Sequence, residues 1–201
     1  PGSSGHIHQS LWDAHAKTNL FATAATDRLS ETGLHYLGGL VTLAPELTAI
    51  YSPFVNSYKR YVPGLWAPLN ASWGVENRTC GSRVILGPGQ SAARIELRQT
   101  GADINPYVAM AACLGSGLHG IENEIAPPPE STGDATAASD PSLALPLTLE
   151  SAVDALRNSE AARSVLGEAF VDHYVRTRDW ECREYNRSVS EWELRRYFEA
   201  V

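Results

Sequence analysis

The chain has few cysteines, fewer basic than acidic residues, and no long hydrophobic run. Its 201 residues include only three cysteines, Cys80, Cys113 and Cys182, and their spacing fits neither a disulfide framework nor a zinc site. We therefore expect a reducing, cytoplasmic location. Sixteen basic residues face 23 acidic ones, and a net charge of -7 disfavours a nucleic-acid partner, which needs a basic face.

The sequence also lacks a membrane span and a signal peptide. The most apolar stretch, residues 34–51, is interrupted by His35, Pro45 and Glu46. The chain begins with Pro1, and its densest motif falls within the first ten residues. Because domains rarely begin inside their own active site, we expect an amino-terminal portion of the protein to precede this sequence.

Hydrophobic spacing and turn residues predict an α+β fold with an antiparallel sheet. Helices are predicted over residues 29–43, 105–123, 149–158, 168–186 and 191–199. Ser30, Asn105 and Ser190 are their expected caps, and Ser190 forms a capping box with Glu193. Strands are predicted over 6–10, 83–86 and 93–99. Residues 52–72 read as a long ordered loop, and 126–147 as a surface segment that packs little.

Two predicted strands carry their charged side chains on one face. His6 and His8 are two residues apart, as are Arg94, Glu96 and Arg98, and alternate residues of a strand point the same way. The apolar Ile95 and Leu97 then take the other face. Such a charged face either lines a site or is a solvated surface with cross-strand ion pairs. The histidine pair alone would also suit a small metal-binding barrel.

Three further arginines, Arg60, Arg78 and Arg83, lie among glycine, proline, asparagine and serine residues rather than on helix faces. Guanidinium groups bind carboxylates and phosphates with two parallel hydrogen bonds. Together with Arg94 and Arg98, they could hold two anionic substrates. Each alone could equally be a surface charge.

Four ordered motifs make the chain resemble the glutamine synthetase superfamily over nearly its whole length. They are GSSGHIHQS at 2–10, NSYKRYVPG at 56–64, WGVENR at 73–78 with Arg83, and ARIELR at 93–98 followed by NPY at 105–107. The resemblance implies that residues 1–201 are the carboxy-terminal part of the catalytic domain, without the amino-terminal domain and the first part of the catalytic domain. It also implies a curved antiparallel sheet that lines the active site, with helices on its outer face.

The resemblance assigns roles to most of the polar residues. His6 and Glu96 would bind Mg²⁺ or Mn²⁺, and His8 and Ser10 would lie beside ATP. Arg60, Arg98 and the backbone of Gly2 would hold glutamate. The phosphates of ATP would face Arg78, Arg83 and Arg94, and Arg60 and Arg78 would be catalytic. The implied partners are L-glutamate, ATP, a small amine and further copies of the chain, in stacked rings with active sites between subunits.

Trp66 departs from the pattern. Ammonia-using members carry a glutamate at this place, which takes a proton from ammonium. An indole cannot accept that proton, but it offers an apolar wall or a cation–π face to an alkylammonium. We therefore expect a γ-glutamyl amide of an organic amine: an alkylamine, an arylamine or a polyamine. The alternative is an ordinary glutamine synthetase in which Trp66 only packs the loop and another carboxylate, such as Glu76, takes the proton.

Two other readings stay open. Pro1 replaces an asparagine that contacts glutamate in ammonia-using members, so the acid could be a glutamate analogue. A non-catalytic structural relative is the alternative from a different class of protein. The retained histidine, glutamate and arginines disfavour it, because a structural role needs no converging charges.

Overall fold

The computed structural model describes residues 3–137 and 140–200, in which four short strands form one open, mixed sheet. The strands are β1 (Ile7–Gln9), β2 (Trp73–Val75), β3 (Ser82–Ile85) and β4 (Arg94–Leu97), in the order β1-β4-β3-β2. Strand β4 pairs antiparallel with both β1 and β3, as predicted. Strand β2 pairs parallel with β3.

The parallel pair corrects the expectation of a wholly antiparallel sheet. After Val75 the chain does not reverse in a tight hairpin. It loops back through residues 76–81, so that Ser82 starts beside Trp73. Backbone hydrogen bonds from Ser82 N to Ser72 O and from Glu76 N to Val84 O, both 2.9 Å, fix this arrangement. Strand β2 is only three residues long, too short for a visible alternation of apolar and polar residues.

Seven α-helices account for most of the remaining ordered structure in the described ranges. They are α1 (Glu31–Leu43), α2 (Thr48–Tyr51), α3 (Pro106–Glu122), α4 (Leu149–Asn158), α5 (Glu160–Leu166), α6 (Glu168–Arg187) and α7 (Glu191–Tyr197). Short 3₁₀ helices lie at Val55–Arg60, Gln90–Ala92, Ala135–Ala137 and Pro141–Leu143. The sequence predicted all of the α-helices except α2 and α5.

The three predicted helix caps are present. Ser30 accepts a hydrogen bond from Gly33 N, and Asn105 accepts one from Tyr107 N, each at 3.0 Å. Ser190 and Glu193 form the reciprocal capping box at the start of α7. These bonds satisfy backbone N–H groups that a helix leaves unpaired at its first turn.

Helices α1 and α3 approach so closely that their contact excludes side chains. A methyl group at Gly39 would overlap the carbonyl oxygen of Ser116, and one at Gly120 would overlap that of His35. Glycine is required at both positions because the two backbones touch. This contact places the apolar faces of α1 and α3 in one core with the sheet.

The sheet separates this core from the charged face. Ile95 and Leu97 are buried in the core with Val84 of β3. Glu96 points the opposite way, because side chains alternate along a strand. The helices therefore pack on one side of β4, and the polar residues gather on the other. None of the helices in residues 3–137 and 140–200 is both long and apolar enough to cross a membrane.

The segment 126–147 is attached to the body of the protein, contrary to the prediction that it packs little. The Trp73 indole donates to Pro128 O at 2.6 Å, and the buried amide of Asn70 donates to Ala135 O at 2.8 Å. Ala135 and Leu145 are themselves buried. The proline- and serine-rich composition does not predict these contacts, because the groups that anchor the segment are mainly backbone carbonyls, which have no sequence signature.

Replacing Asn70 with alanine is expected to loosen this segment. The Asn70 side chain also accepts a bond from Ser72 N at 3.1 Å, so its loss leaves both Ala135 O and Ser72 N without a partner. Each orphaned buried group costs about 1–3 kcal/mol. We expect a lower melting temperature and faster amide exchange across residues 130–145. Asn158→Ala, which removes an exposed local bond on α4, is the control; equal exchange in both variants would contradict the anchoring role.

Candidate active site

Glu96 is the centre of the charged face. It is 3% exposed, and the strand register sets it opposite His8 on β1 and Arg83 on β3. Its carboxylate accepts bonds from Arg98 Nη1 at 2.8 Å and from Arg83 Nη1 at 3.2 Å, and His6 Nδ1 lies 2.9 Å from it. Residues from three strands therefore meet at one carboxylate, as the alternation on the strands predicted.

The surrounding charges fix the ionisation of this cluster. Burial of Glu96 opposes ionisation, but Arg98, His6 and Arg83 outweigh it and hold the pKa of the carboxyl below its usual value. Burial and the charge of Arg98 lower the pKa of His6, against the opposing effect of Glu96. At neutral pH the site thus presents an ionised carboxylate beside a neutral imidazole. A neutral imidazole is the form that binds a metal.

His6 and Glu96 offer a divalent cation two donor atoms. Because His6 Nδ1 faces the carboxylate, its Nε2 keeps a free lone pair. Mg²⁺ and Mn²⁺ accept carboxylate and imidazole ligands but need about six donors in total. In the part of the chain that the structure describes, no group of three histidine, cysteine, aspartate or glutamate residues could hold a metal. The residue types suit such an ion as part of a larger ligand set, but Nε2 points away from Glu96 here, so both would contact one ion only with the imidazole turned.

A cavity of about 410 Å³ opens over this cluster. It is polar, and its floor and walls come from both strands and loops. The residues that line it are His6, Trp66, Arg78, Arg83, Glu96 and Arg98. Six of the residues singled out in the sequence thus share one cavity. Three of the six are arginines, so the cavity suits an anionic ligand.

Arg60 lies beneath the site and outside the lining of this cavity. It is 5% exposed, and its Nη2 donates to Tyr61 Oη at 2.8 Å, to Ser52 Oγ at 3.2 Å and to the Gln99 carbonyl. Among the described residues, its Nε and Nη1 have no hydrogen-bond partner, nor has Nε of Arg98. The positive charge of Arg60 contributes to lowering the pKa of His6, which places it within electrostatic reach of the site.

Arg78 and Arg83 differ in what holds them. Arg83 is fixed between Glu96 and Glu76, with its Nε 3.1 Å from the Glu76 carboxylate. Arg78 is exposed on the cavity wall, and no described residue forms an ion pair with it. Because Glu76 is bound to Arg83, it is a poor candidate for the proton acceptor that the sequence left open.

The other predicted residues lie along β1 and β4, outside the cavity lining. Arg94 donates to His8 Nδ1 at 3.3 Å, and its Nη1 bonds to Ala92 O. Ser10 is exposed and accepts a bond from the Trp12 indole at 2.9 Å. His8 is on the edge strand β1 and Ser10 follows it, whereas Arg94 is on β4, the strand next to β1. Gly2 lies outside the described residues.

Trp66 stands at the rim of the site on the loop after Pro63. Its φ of 61° is in the left-handed region, and the residue is 67% exposed. A bulky residue in this region carries strain, which is found most often at binding sites. The loop turns at Gly64, with φ 83°, and holds the indole against the cavity.

A second, smaller cavity is also lined by Trp66. Its volume is about 180 Å³, and Asp134 and Thr136 from the segment 126–147 line it with Thr79. Sequence reasoning missed these residues because it treated that segment as loosely packed. The Asp-Ala-Thr spacing, typical of a turn that exposes an aspartate carboxylate, was the available signal.

The cavity size alone does not identify the site. A larger surface cavity, of about 630 Å³, lies between the loop at Phe54, the start of α3 and helix α6. It includes Tyr107 and Phe170 but none of the convergent strand residues. The candidate site is therefore defined by its charges rather than by its volume.

Comparison with known proteins agrees with this geometry. The family described as the glutamine synthetase catalytic domain matches residues 1–197, and the chain belongs to that family. The chain is 47% identical over 203 residues to a glutamate–isopropylamine ligase of a Pseudomonas species, covering 100% of this chain and 44% of that protein. It is 39% identical over 200 residues to the γ-glutamylethanolamide synthetase GlnA4 of Streptomyces coelicolor, covering 100% and 42%.

Glutamine synthetases are similar to the chain as well. That of Methanosarcina mazei is 37% identical over 206 residues, covering 100% of this chain and 46% of that protein. Among solved structures, a complex of GmaS with ADP superposes with a TM-score of 0.85 at 36% identity, covering 98% of this chain and 46% of that one. The chain thus spans less than half the length of these relatives.

Proposed function

We propose that the whole protein is an ATP-dependent ligase that forms a γ-glutamyl amide from L-glutamate and an amine. The observation that carries the proposal is the convergence of Arg78, Arg83 and Arg98 with Glu96 and His6 on one cavity. Three guanidinium groups beside a pair of metal-ligand residues suit two anionic substrates and a phosphoryl transfer. Relatives that are named ligases for isopropylamine and for ethanolamide formation support the reaction class.

The reaction would take place in two steps. First, a γ-carboxylate oxygen of glutamate attacks the terminal phosphorus of ATP, and the bond to the bridging oxygen breaks to release ADP. Second, the neutral nitrogen of the amine attacks the carbonyl carbon of γ-glutamyl phosphate. The carbon–oxygen bond to phosphate then breaks, phosphate leaves, and the nitrogen loses a proton. The first step is needed because a free carboxylate is a poor electrophile.

Arg60 and Arg98 are proposed to hold the carboxylates of glutamate, with the backbone of Gly2. This proposal is supported by their incomplete hydrogen bonding: both guanidinium groups have buried N–H groups without a hydrogen-bond partner among the described residues. A carboxylate beside Arg98, which lines the cavity, would add a charge-assisted hydrogen bond there, whereas Arg60 lies outside that lining. The shell of Ser52, Tyr61 and Gln99 fixes Arg60 in place before glutamate arrives.

Arg78, Arg83 and Arg94 are proposed to bind the phosphates, with His8 and Ser10 beside the nucleotide. Arg78 is exposed on the wall and can follow a phosphoryl group in transfer, and with Arg60 it is the proposed catalytic pair. Mg²⁺ or Mn²⁺, held by His6 and Glu96 with further ligands, would neutralise the negative charge of the phosphates. Glu96 also keeps Arg83 and Arg98 at fixed positions.

The amine is proposed to be organic, because Trp66 lines the cavity at the rim. An indole that is two-thirds exposed gives a substituted ammonium a flat apolar surface. Ammonia is the second candidate, which the similarity to glutamine synthetases favours. A non-catalytic role is disfavoured because it does not require His6, Glu96 and three arginines to converge on one cavity.

We further propose that the protein works in the cytoplasm as a homo-oligomer of stacked rings with active sites between subunits. Buried, unpaired thiols at Cys80, Cys113 and Cys182 suit a reducing compartment. The metal site offers two donors among the described residues, and we propose that the rest of the protein supplies further ligands. The isolated 201-residue chain is therefore expected to show no phosphate release from ATP with glutamate and any amine. Turnover by that purified fragment would contradict this.

The full-length protein tests the function directly. Phosphate release would be measured with ATP, Mg²⁺ and glutamate against ammonium, methylamine, isopropylamine, aniline and putrescine. Release with an organic amine, and little with ammonium, is the expected result. Strong release with ammonium alone would make the protein an ordinary glutamine synthetase. No release with any amine, and no thermal stabilisation by ATP with Mg²⁺, would favour the non-catalytic alternative.

A further inference from the structure

The cavity behind Trp66 is separate from the arginine-lined cavity but shares the indole with it. It has a volume of about 180 Å³. Its lining consists of Gly64, Trp66, Thr79, Asp134 and Thr136. The indole therefore lines both cavities, so the two are neighbours at Trp66.

The two cavities have opposite charge. The larger one is lined by three arginines, Arg78, Arg83 and Arg98, against the single carboxylate of Glu96. The smaller one contains Asp134 as its only charged residue. The lining of the second cavity therefore suits an ammonium group better than the lining of the first, which suits anionic substrates.

Asp134 is held with one oxygen engaged and the other available. Its Oδ1 accepts bonds from Thr136 N at 2.9 Å and from Thr136 Oγ1 at 2.6 Å. Its Oδ2 receives no hydrogen bond from the residues that the structure describes. The neighbouring Ala135 N donates to Thr79 Oγ1 at 2.9 Å, so the turn that carries Asp134 is tied to the opposite wall. The carboxylate is presented from a fixed turn.

We propose that this cavity binds the distal ammonium group of a diamine substrate, between the Asp134 carboxylate and the face of Trp66. The proposal rests on the proposed function, because it concerns the amine of that reaction. The proximal nitrogen of the diamine attacks γ-glutamyl phosphate in the larger cavity, while the distal nitrogen stays protonated. The product is a mono-γ-glutamyl diamine.

The lining favours a cationic end over an apolar one. Apart from the indole, the side chains around the cavity are two hydroxyls and a carboxylate. An alkyl group there would cover polar atoms without replacing their hydrogen bonds with water. An ammonium group instead gains a charge-assisted bond to Asp134 and a cation–π contact with Trp66.

The test compares putrescine with n-pentylamine in the full-length protein. The two amines have the same chain length in heavy atoms, and a methyl group replaces the distal ammonium in pentylamine. We expect kcat/KM for phosphate release to favour putrescine by about threefold to tenfold, because Asp134 is exposed, and exposed ion pairs and cation–π contacts each contribute little. In Asp134→Asn that ratio should fall to near one, because the amide keeps the turn but loses the charge.

Asp140→Asn is the matched control. Asp140 lies in the same segment and accepts the same pair of bonds, from Ser142 N at 2.9 Å and Ser142 Oγ at 2.7 Å, but does not line the cavity. Its variant should keep the wild-type ratio. Equal use of both amines, with no effect of Asp134→Asn on the ratio, would overturn the diamine site and leave the ligase function standing. Release with ammonium alone would overturn the proposal of an organic amine. Absence of release with every amine tested would overturn the ligase function itself.

Discussion

Replacing Glu96 with glutamine in the full-length protein is expected to reduce kcat for phosphate release by about 10²–10³-fold, a loss typical of removing one preorganised electrostatic group. The carboxylate joins Arg83, Arg98 and His6 in one cluster and is the proposed anionic ligand of the metal. Glutamine keeps its shape but carries no charge. Phosphate-release kinetics over a series of Mg²⁺ concentrations should also show the half-maximal rate at a higher Mg²⁺ concentration, because the metal would lose a ligand.

The same change should lower the free energy of unfolding. A loss of stability would distinguish a buried charged site from a solvated sheet face, where the change would have little effect. Arg98 is only 6% exposed, and Glu96 is its ion-pair partner. Leaving a buried charge uncompensated costs about 3–5 kcal/mol. Glu96→Asp, which retains the charge, should recover part of both losses.

The control for Glu96→Gln is Glu184→Gln, which removes a carboxylate from an exposed ion pair with Arg187 on α6. It should change neither rate nor melting temperature appreciably, because exposed pairs contribute about 0–1 kcal/mol. A folded Glu96→Gln variant with the wild-type rate and Mg²⁺ dependence would contradict the assignment of the site.

Replacing Trp66 with glutamate is expected to shift the enzyme toward ammonium. A carboxylate at this place can attract ammonium and accept its proton, and the apolar wall for an organic amine is lost. We expect kcat/KM for ammonium to rise at least about tenfold and that for organic amines to fall by a similar factor, which corresponds to about 1.4 kcal/mol in each direction. Initial rates with ammonium and with each organic amine measure both changes.

Backbone strain should not obscure this result. Tryptophan and glutamate both carry a β-carbon, so the left-handed conformation at position 66 costs both residues a similar energy. Leu65→Glu is the control, because Leu65 is also exposed and adjacent but lines neither cavity. If Leu65→Glu raised kcat/KM for ammonium as much as Trp66→Glu, the added negative charge on the loop, and not its position at residue 66, would be responsible.

The site was predictable where it lies on strands. Side chains of a strand alternate with a period of two, so the spacing of Arg94, Glu96 and Arg98 was enough to place them on one face. That His6 lies close to this strand was implied only by the resemblance, which gives His6 and Glu96 the same metal. The helix caps were equally local, because a cap needs only one side chain and the next few backbone N–H groups.

The loop contributions were not predictable in the same way. The place of Trp66 came from a motif resemblance, and the left-handed backbone at that residue has no signal in the sequence. Asp134 approaches Trp66 only because Asn70 and Thr79, far away in the chain, bind the backbone around it. Such contacts depend on tertiary folding, and the composition of the segment pointed the other way. The parallel pairing of β2 with β3 could not be predicted either, because it also depends on tertiary contacts.

Because the proposed phosphoryl-transfer residues lie mainly on strands and the proposed amine-binding residues on loops, substitutions can affect the two functions separately. The residues proposed to carry the phosphoryl chemistry are fixed on paired strands, which rest on helices whose glycines touch backbone to backbone. Trp66 and Asp134 lie on two surface loops, which are also joined by the hydrogen bond between Asn70 and Ala135. Mutations confined to residues 64–66 and 134–136 are therefore expected to change which amine is used and to leave the proposed phosphoryl transfer unaffected.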